Sequence, residues 1–255
     1  MARVFITGST DGLGLAAARS LTRDGHEVVL HARSAQRASD AKDIASQASA
    51  VVVGDLGSAE ATRAIAEQVN AIGRMDAIIH NAGIYTVPAR GSTPEGHPTV
   101  LAVNTLAPYI LTALIEPPDR LVFLSSGLHR GGEGSLADID WRTRTWDGAK
   151  AYAESKLHVA ALAAALARRW PGVLSHSVDP GWVRTRMGGP SAPVDLETGQ
   201  RTQTWLAVGD DPVIRMSGGY WHNQRREQPA DEIGDEGFQD RLLTRLSELT
   251  AVLLP

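Results

Sequence analysis

The sequence contains no cysteine among its 255 residues. Disulfide scaffolds, cysteine-ligated zinc sites, iron–sulfur clusters and thiol nucleophiles are therefore excluded. Its charge is low and nearly balanced, with 25 basic and 29 acidic residues and a net charge of −4. Basic residues cluster only in pairs such as Arg168-Arg169 and Arg225-Arg226. The sequence thus lacks the basic field that nucleic-acid binding requires.

Long apolar runs are missing as well. The longest strongly apolar run lies between His158 and Arg168, and it is far shorter than the about 20 residues that a membrane-spanning helix needs. Strand-like sequence begins at Val4, so we expect no signal peptide before it. The 8 histidines form no HxxxH or HxH pattern, so no metal site is predicted. We expect a cytoplasmic protein with neither membrane nor nucleic-acid partners.

Strand-like and helix-like segments alternate along most of the chain. The predicted strands are continuous apolar runs, which is typical of a parallel sheet buried on both faces. We therefore predict an α/β fold, a doubly wound parallel sheet of Rossmann type, in a single domain over residues 1–255. The predicted strands are Arg3–Ile6, Glu27–Leu30, Ala50–Val53, Ala77–His80, Leu121–Leu124 and Val173–Val178, and the longer helices are Ala59–Ile72, Thr99–Ile115, Ala149–Arg169 and Gly237–Leu249.

A glycine-rich turn joins the first predicted strand to a helix-like stretch. Its glycines follow the pattern Gly8-x-x-x-Gly12-x-Gly14. Such glycines permit a tight turn and let backbone N–H groups approach a pyrophosphate at the N-terminus of the next helix. Ordinary loops also contain glycine clusters, but the place of this one between a strand and a helix favours dinucleotide binding.

The residues after the second predicted strand indicate which dinucleotide binds. Sites for NAD place an acidic residue there, about 20 residues past the glycines, whereas this chain has His31-Ala32-Arg33-Ser34. The guanidinium of Arg33 suits a 2′-phosphate, and Ser34 adds a hydroxyl. Asp11 inside the turn argues against this interpretation, and a solvated arginine at a strand end is the alternative. We predict NADP(H) as the cofactor.

Tyr152 and Lys156 lie four residues apart, on one face of a predicted helix. A phenol with a pKa of about 10 is a poor acid or base at neutral pH unless a nearby cation stabilises its phenolate. Lys156 supplies that cation. Upstream, Ser125 and Ser126 follow the strand Leu121–Leu124, at the sheet edge where ligands bind in such folds. A Tyr-x-x-x-Lys pair alone is common, and it gains weight here from this order of motifs.

Seven short motifs occur in an order that makes the chain resemble the short-chain dehydrogenase/reductase family over about residues 2–187. They are TGSTDGLG at Thr7–Gly14, GDL at Gly54–Leu56, NAG at Asn81–Gly83, VN at Val103–Asn104, FLSS at Phe123–Ser126, YAESK at Tyr152–Lys156 and PGWVRT at Pro180–Thr185.

The resemblance implies roles for individual positions. Ser126, rather than Ser125, polarises the substrate carbonyl, and Tyr152 donates the proton. Lys156 binds the nicotinamide ribose and lowers the pKa of Tyr152, while Asn104 orders a water that connects to Lys156. The other positions implied to bind NADP(H) are Gly8, Ser9, Thr10, Gly12, Leu13 and Gly14 in the glycine turn, Arg33 and Ser34 after the second strand, Asp55 and Leu56 at the adenine, Asn81, Ala82 and Gly83 beside the adenosine, and Pro180, Gly181, Val183 and Thr185 near the nicotinamide.

Within the family, the chain is similar to retinol-dehydrogenase-like enzymes and to bacterial anthracycline C-13 ketoreductases. The sequence Ser-Ser-x-x-His ending at His129 is typical of the first group, and Ser217–Trp221 and Asp231–Glu236 look like the second. The implied activity is NADP(H)-dependent interconversion of a small-molecule ketone or aldehyde and its alcohol. A non-catalytic NADP(H)-binding regulator on the same fold is the alternative. An epimerase or dehydratase of nucleotide sugars would need a larger C-terminal region.

The segment at about 186–213 is predicted to be a lid over the substrate, because it follows the nicotinamide-binding strand end. Its apolar content favours a bulky apolar substrate, whereas Arg184, Arg186 and Arg201 would suit an anionic one. His129 and Trp182 are each open to a substrate contact or to a packing role.

An apolar helix argues for self-association. The run Ala160–Ala167 is apolar almost all round its helix, so the face turned away from the sheet needs a partner of its own. That partner is a second subunit or the lid, and we expect a homodimer or homotetramer.

Overall fold

The computed structural model describes residues 1–85 and 88–255, and strands run through the centre of the described chain. In chain order they are β1 Arg3–Ile6, β2 Glu27–Ala32, β3 Ala50–Val53, β4 Ala77–His80, β5 Arg120–Leu124, β6 Leu174–Asp179, β7 Tyr220–His222 and β8 Arg225–Glu227. They form one sheet in the order β3-β2-β1-β4-β5-β6-β7-β8. All neighbours pair in parallel except β7 and β8, which form an antiparallel hairpin. The strand order reverses between β1 and β4, as in doubly wound folds.

Helices cover both faces of this sheet. In chain order they are α1 Gly12–Arg23, α2 Ala35–Asp40, α3 Lys42–Ala45, α4 Ala59–Ile72, α5 Thr99–Leu101, α6 Ala107–Leu114, α7 Gly148–Arg169, α8 Leu196–Val208, α9 Asp231–Gly234 and α10 Glu236–Thr250. Side chains of α1 and α8 pack with one face of the sheet. Those of α4, α6, α7 and α10 pack with the other. The predicted Rossmann-type fold is confirmed, and residue patterning explains why it forms: buried strands lie between amphipathic helices.

One predicted helix is interrupted. The segment predicted as a single helix over Thr99–Ile115 consists of α5, a π-helical turn over Ala102–Leu106, and α6. The turn contains Asn104, which is buried. Single π turns inside helices are frequent at functional sites, because they change the direction of one side chain.

The predicted lid contains a packed helix. The structure places α8 within the segment 186–213, and α8 packs against α1 through the buried side chain of Leu206. Trp205 joins the same cluster and packs edge-on against Trp221, with 5.2 Å between ring centroids. The segment was expected to be loosely structured, but Leu196–Val208 is a helix that begins at the capping Asp195. The role of residues 186–213 as a substrate lid stays a prediction.

The C-terminal helix covers the apolar run of α7. Phe238, Leu242 and Leu246 of α10 are buried in the same cluster as Ala160–Leu166. The face that was predicted to need a second subunit or the lid as its partner is thus covered by α10. This removes the sequence-based argument for a dimer or tetramer, and the oligomeric state stays a prediction.

Candidate active site

The glycine turn joins β1 to α1, and its three glycine positions do not readily accept side chains. Gly8 and Gly12 have φ values of +63° and +53°, which favour glycine. A Cβ on Gly14 would lie 2.4 Å from the Gly8 carbonyl oxygen and 2.5 Å from Nδ2 of Asn81. The first turn of α1 carries no acidic side chain, and Asp11 caps it by accepting from the Gly12 N–H over 2.8 Å. The N-terminus of α1 therefore keeps the partial positive charge that favours a phosphate.

His31 fixes this turn from β2. Its Nδ1 accepts from the Gly8 N–H over 2.9 Å, so its Nε2 carries the proton and donates to the Gly54 carbonyl oxygen over 2.9 Å. Burial lowers the pKa of His31, which keeps the ring neutral. The ring joins the ends of β1, β2 and β3. Sequence analysis attached no role to His31, because only the folded sheet brings these strand ends together.

The NAG motif locks β4 to the glycine turn. Asn81 Nδ2 donates to the carbonyl oxygens of Thr7 and Gly8 over 3.0 and 3.3 Å. The Ala82 N–H donates to Thr7 Oγ1 over 3.0 Å. A Cβ on Gly83 would approach Lys156 Nζ to 3.3 Å. These residues form the wall between the glycine turn and the Tyr152–Lys156 pair.

The residues predicted at the adenosine end differ in exposure. Asp55 is exposed, whereas Leu56 is buried in the core beside α4, which suits a packing role better than a ligand contact. Ser34 caps α2 by accepting from the Arg37 N–H over 3.3 Å. Arg33 is exposed, and within the described residues it makes no ion pair with a carboxylate.

Two further arginines surround the carboxylate of Asp11. Arg37 Nη2 lies 3.2 Å from Asp11 Oδ2, and Arg186 Nη2 lies 3.6 Å from the same atom. Asp11 had argued against NADP(H), but its charge is offset by these two partners. Arg37 was missed by sequence reasoning, although its place one turn into α2 beside Arg33 is a signal that the sequence contains.

The two serines after β5 point in opposite directions. Ser125 is buried, and its hydroxyl donates to the Lys156 carbonyl oxygen over 2.9 Å. Ser126 is partly exposed, and its hydroxyl accepts from the Leu128 N–H over 3.2 Å. Alternation along the strand explains this difference. Ser126 is the serine on the side of the Tyr152 phenol, with which it makes a hydrogen bond, and its role in polarising a substrate carbonyl stays a prediction.

Tyr152 is buried with its phenol next to Ser126. Burial raises its pKa to about 12, a hydrogen bond with the Ser126 side chain lowers it, and the nearby charge of Asp179 raises it. The Tyr85 ring packs edge-on against the Tyr152 ring with 4.6 Å between centroids. The lowered pKa expected for Tyr152 is not found in this arrangement, because burial outweighs the contribution of any neighbouring group. The phenol is held in its protonated form at neutral pH.

Lys156 is fully enclosed one turn along α7. Its Nζ donates to the Leu124 carbonyl oxygen over 2.8 Å and lies 5.6 Å from the centroid of the Tyr152 ring. Burial lowers the pKa of Lys156 to about 8. The ammonium is therefore anchored at the carboxyl end of β5, between the glycine-turn wall and Tyr152.

Asn104 reaches the same helix from the π turn. Its Nδ2 donates to Ser155 Oγ and to the Ile84 carbonyl oxygen, each over 3.0 Å. Its Oδ1 accepts from the Ile84 N–H over 2.9 Å. Ser155 Oγ in turn donates to the Tyr152 carbonyl oxygen over 2.7 Å. The structure thus brings Asn104, Ser126, Tyr152 and Lys156 together.

The segment after β6 lies against the glycine turn. Val183 is buried and pairs with Val194 in an isolated β-bridge. Thr185 lies close to the glycine turn, since a Cβ on Gly12 would be 3.5 Å from its Cγ2. Gly181 adopts φ +79° directly after Pro180. These are the positions predicted near the nicotinamide, and the structure places them after the carboxyl end of β6, with Thr185 next to the glycine turn.

His129 and Trp182, for which the sequence left a substrate contact or a packing role open, differ in their surroundings. His129 is buried, and its ring joins the Ser126 carbonyl oxygen over 2.7 Å to the Ala230 N–H over 3.0 Å, which is a packing role. Trp182 is 57% exposed, and its Nε1 donates to the Gly188 carbonyl oxygen over 2.8 Å. Its ring therefore stands on the surface of the segment that follows β6.

Comparisons with known proteins agree with this geometry. The sequence model of the short chain dehydrogenase family matches residues 2–194. The short-chain dehydrogenase chyC of Penicillium rubens is 43% identical over 259 residues, which cover 100% of both chains. Human retinol dehydrogenase 13 is 29% identical over 99% of this chain and 85% of its own. The candidate daunorubicin C-13 ketoreductase DnrU of Streptomyces sp. (strain C5) is 30% identical over 94% of this chain and 89% of its own.

A solved structure shows the same fold. The crystal structure of an uncharacterized protein from Mycobacterium paratuberculosis superimposes with a TM-score of 0.84 at 27% identity, covering 100% of this chain and 95% of that one. The chain belongs to the short-chain dehydrogenase family, and the resemblance drawn from its motifs is confirmed. It is an oxidoreductase of that family, with the fold of enzymes that use a nicotinamide cofactor.

The described chain offers neither a membrane-spanning helix nor a cluster of metal ligands. Across residues 1–85 and 88–255, none of the helices is long and apolar enough to cross a membrane. The same residues contain no group of three or more histidine, aspartate or glutamate side chains placed to hold a metal ion.

Proposed function

We propose that the protein reduces a ketone or aldehyde to its alcohol with NADPH, and catalyses the reverse oxidation with NADP⁺, through Ser126, Tyr152, Lys156 and Asn104. The observation that carries this proposal is the burial of Tyr152 against Ser126 with Lys156 one turn away. A protein that only binds a dinucleotide has no need for a phenol, a hydroxyl and an ammonium around one cleft.

The residues present fit a nicotinamide dinucleotide. The glycine turn lets a ligand come close to the backbone N–H groups at the N-terminus of α1. A pyrophosphate usually binds at this place in such folds. Lys156 and Asn104 face the space that the missing side chain of Gly83 leaves open. When bound, the nicotinamide supplies the hydride that a carbonyl carbon accepts. The residues of this chain that would hold it are those of the glycine turn, Lys156, Val183 and Thr185.

The side chains divide the remaining work. Ser126 donates a hydrogen bond to the carbonyl oxygen and so polarises the carbonyl. Tyr152 delivers its proton to the same oxygen as negative charge develops there. Because burial holds the pKa of Tyr152 at about 12, the phenol is protonated at neutral pH, which is the form that reduction requires. Lys156 keeps its ammonium close to the phenol and stabilises the phenolate that is left.

Preference for NADP(H) rests on Arg33. Its guanidinium is exposed at the end of β2, without an ion-pair partner in the described residues, and is available to a 2′-phosphate. Arg37 stands one turn away and adds positive charge. The position where NAD-binding sites carry an acid is occupied by Ala32.

Exposed apolar side chains that follow β5 and β6, called the rim below, favour a bulky apolar carbonyl compound as substrate. Leu128 follows β5 and is 53% exposed, and Trp182 and Met187 follow β6 and are 57% and 49% exposed. Exposed apolar side chains gathered at one edge are typical of a surface that binds an apolar ligand. Arg186 pairs with Asp11, which makes it a weaker candidate for an anionic substrate. Cytoplasmic location and self-association stay predictions from the sequence.

The experiment follows NADPH absorbance across a size series of ketones from acetone to polycyclic aryl ketones. We expect kcat/KM to rise with apolar size, and Trp182→Ala to reduce it about tenfold for the largest ketones alone, since lost rim contacts weaken binding of those ketones. Leu253→Ala, which is 80% exposed at the C-terminus, serves as the matched control. A flat trend with size would contradict the substrate class. A loss confined to carboxylate-bearing ketones in Arg186→Ala would favour an anionic substrate.

A further inference from the structure

A carboxylate lies next to the segment Ser126–Gly127, where β5 and β6 end side by side. Asp179 is the last residue of β6, and β6 pairs with β5 up to the register Leu124–Val178, so the two strands end side by side. Gly127 follows Ser126, and a Cβ at that position would lie 3.0 Å from Asp179 Oδ2. The absence of a side chain at Gly127 therefore leaves this oxygen open next to the serine that polarises the substrate.

The two carboxylate oxygens of Asp179 have different surroundings. Oδ1 accepts from the Gly181 N–H over 2.9 Å and so fixes the turn after β6. Oδ2 has no hydrogen-bond donor within the part of the chain that the structure describes. The nearest ring nitrogen, His222 Nδ1, is 3.7 Å away and donates instead to the Asp179 main-chain oxygen over 3.0 Å. His222 Nε2 lies 3.0 Å from the side-chain amide nitrogen of Asn223.

A second polar group beside the carboxylate also lacks a partner. Tyr220 is 3% exposed, and its hydroxyl makes no hydrogen bond to any described residue. Burial raises the pKa of Tyr220, and the charge of Asp179 raises it further, which places the phenol within electrostatic reach of the carboxylate. The Asp179 side chain is 17% exposed, so its free oxygen is open to a donor that approaches from outside. The Tyr220 hydroxyl is buried without a partner, which is costly.

We propose that Asp179 is a specificity-determining residue whose Oδ2 accepts a hydrogen bond from a donor group that the substrate carries close to its reacting carbonyl. This rests on the proposed function, because it places the carbonyl at Ser126 and Tyr152. The donor is a hydroxyl, an amide N–H or an ammonium. The substrate class is thus a carbonyl compound with an apolar body, held by the rim at Leu128 and Trp182, and with one polar donor that binds Asp179 Oδ2.

The charge of Asp179 supports this assignment over a role in the proton transfer. A carboxylate near Tyr152 raises the pKa of the phenol and so makes its phenolate less stable. That effect gives no advantage in the oxidation direction and is the same for every ketone. A hydrogen bond to the carboxylate, by contrast, helps only those ketones that carry a donor. Two ketones that differ in the donor alone therefore separate this hydrogen bond from the effect of Asp179 on the pKa of Tyr152.

Asp179→Asn is the variant of choice. Asparagine keeps an oxygen for the Gly181 N–H and places an NH₂ donor where Oδ2 stood, so a donor on the substrate would meet another donor. The substrates are 2-hydroxy-1-phenylethanone and 2-methoxy-1-phenylethanone, which differ in that donor. A third substrate, 2-amino-1-phenylethanone, tests an ammonium as the donor. Asp43→Asn, an exposed carboxylate on α3, controls for the loss of one negative charge.

We expect the unmodified protein to prefer the hydroxy ketone to the methoxy ketone, and Asp179→Asn to reduce kcat/KM for the hydroxy ketone by about 10- to 100-fold, as for a lost hydrogen bond to a charged group. The methoxy ketone should change by less than about threefold, and a larger loss on the amino ketone than on the hydroxy ketone would identify an ammonium as the preferred donor. Gly127→Ala should act in the same direction, because its methyl group would cover Oδ2. Equal losses on both neutral ketones, or no loss, would overturn the proposal.

Binding measurements keep this test separate from the proposed activity. If no ketone is reduced, the proposed function fails, and calorimetric binding of 1-phenyl-1,2-ethanediol and its 2-methyl ether then tests Asp179 alone. Tighter binding of the diol that is lost in Asp179→Asn would support the assignment. Equal binding of diol and ether by the unmodified protein would contradict it, whatever the activity.

Discussion

The Asn104 amide donates to the Ser155 hydroxyl over 3.0 Å, and this bond joins the π turn to the helix that carries Tyr152 and Lys156. Ser155 Oγ also donates to the Tyr152 carbonyl oxygen, so one hydroxyl connects two residues of the site. The bond spans 51 positions of sequence. It explains how Asn104 is held in place although its own helix is interrupted.

Ser155→Ala should therefore reduce kcat about tenfold, because the Asn104 amide loses its acceptor and its position becomes less well defined. The dissociation constant for NADPH should change less than kcat. Ser175→Ala is the matched control: Ser175 is also buried and also donates to a main-chain oxygen of α7, over 2.8 Å at Ala163, but lies away from the site. Equal losses of kcat in the two variants would indicate a purely structural role for Ser155.

The serine pair after β5 gives a second comparison. Ser126→Ala should lower kcat by about two orders of magnitude, as expected when one hydrogen bond to a developing oxyanion is removed. Ser125→Ala should leave kcat nearly unchanged. It removes the bond to the Lys156 carbonyl oxygen and should reduce stability by about 1 kcal/mol. Urea unfolding and steady-state kinetics on both variants check this, and an exchange of the two phenotypes would refute the assignment.

Cofactor preference tests the role of Arg33. The unmodified protein should bind NADPH at least about tenfold more tightly than NADH, a difference of about 1.4 kcal/mol. Arg33→Ala should remove most of this difference, whereas Arg19→Ala, an exposed arginine on α1, should leave it intact. Fluorescence titration with both cofactors gives three ratios of dissociation constants, one for each protein. Equal affinity of the unmodified protein for NADH and NADPH would end the NADP(H) assignment.

Lys156 should leave a signature in the pH dependence of stability. Burial lowers its pKa from 10.5 to about 8, so between these pH values the folded protein has released a proton that the unfolded chain still binds. Stability contributed by this residue therefore rises with pH across that window, by up to roughly 3 kcal/mol.

Unfolding of Lys156→Met at pH 7.5 to 10.5 measures this effect. The difference in unfolding free energy between the unmodified protein and Lys156→Met should increase with pH, whereas the same difference for Lys42→Met, on exposed α3, should stay flat. A difference for Lys156→Met that does not change with pH would show that the lysine is hydrated in the folded protein.

Much of the fold was predictable because it depends on local pattern. The bounds of β1, β3, β4 and α4 agree with those expected from apolar runs and helical spacing. The helix α8 was missed because its sequence is polar and contains Gly199, and its packing on α1 decides its conformation. The cover of α7 by α10 was missed for a similar reason: both helices have apolar faces, and sequence does not say that they meet.

The candidate site, like the fold, was predictable in part from the sequence. The motifs predicted which side chains gather around Tyr152, because each follows a strand end of a parallel sheet. They did not predict the raised pKa of Tyr152, since spacing to Lys156 says nothing about burial. Nor did they single out Asp179, whose importance depends on the missing side chain at Gly127 across two neighbouring strands.

The most direct test of the account is the single-turnover rate of Tyr152→Phe with NADPH and a polycyclic ketone. Phenylalanine keeps the ring and its packing against Tyr85 but has no proton to transfer. We predict that the rate falls by at least about three orders of magnitude, within the range expected for loss of a positioned acid, while the dissociation constant for NADPH changes less than about threefold. A rate close to that of the unmodified protein, with normal cofactor binding, would contradict the central claim that Tyr152 is the proton donor.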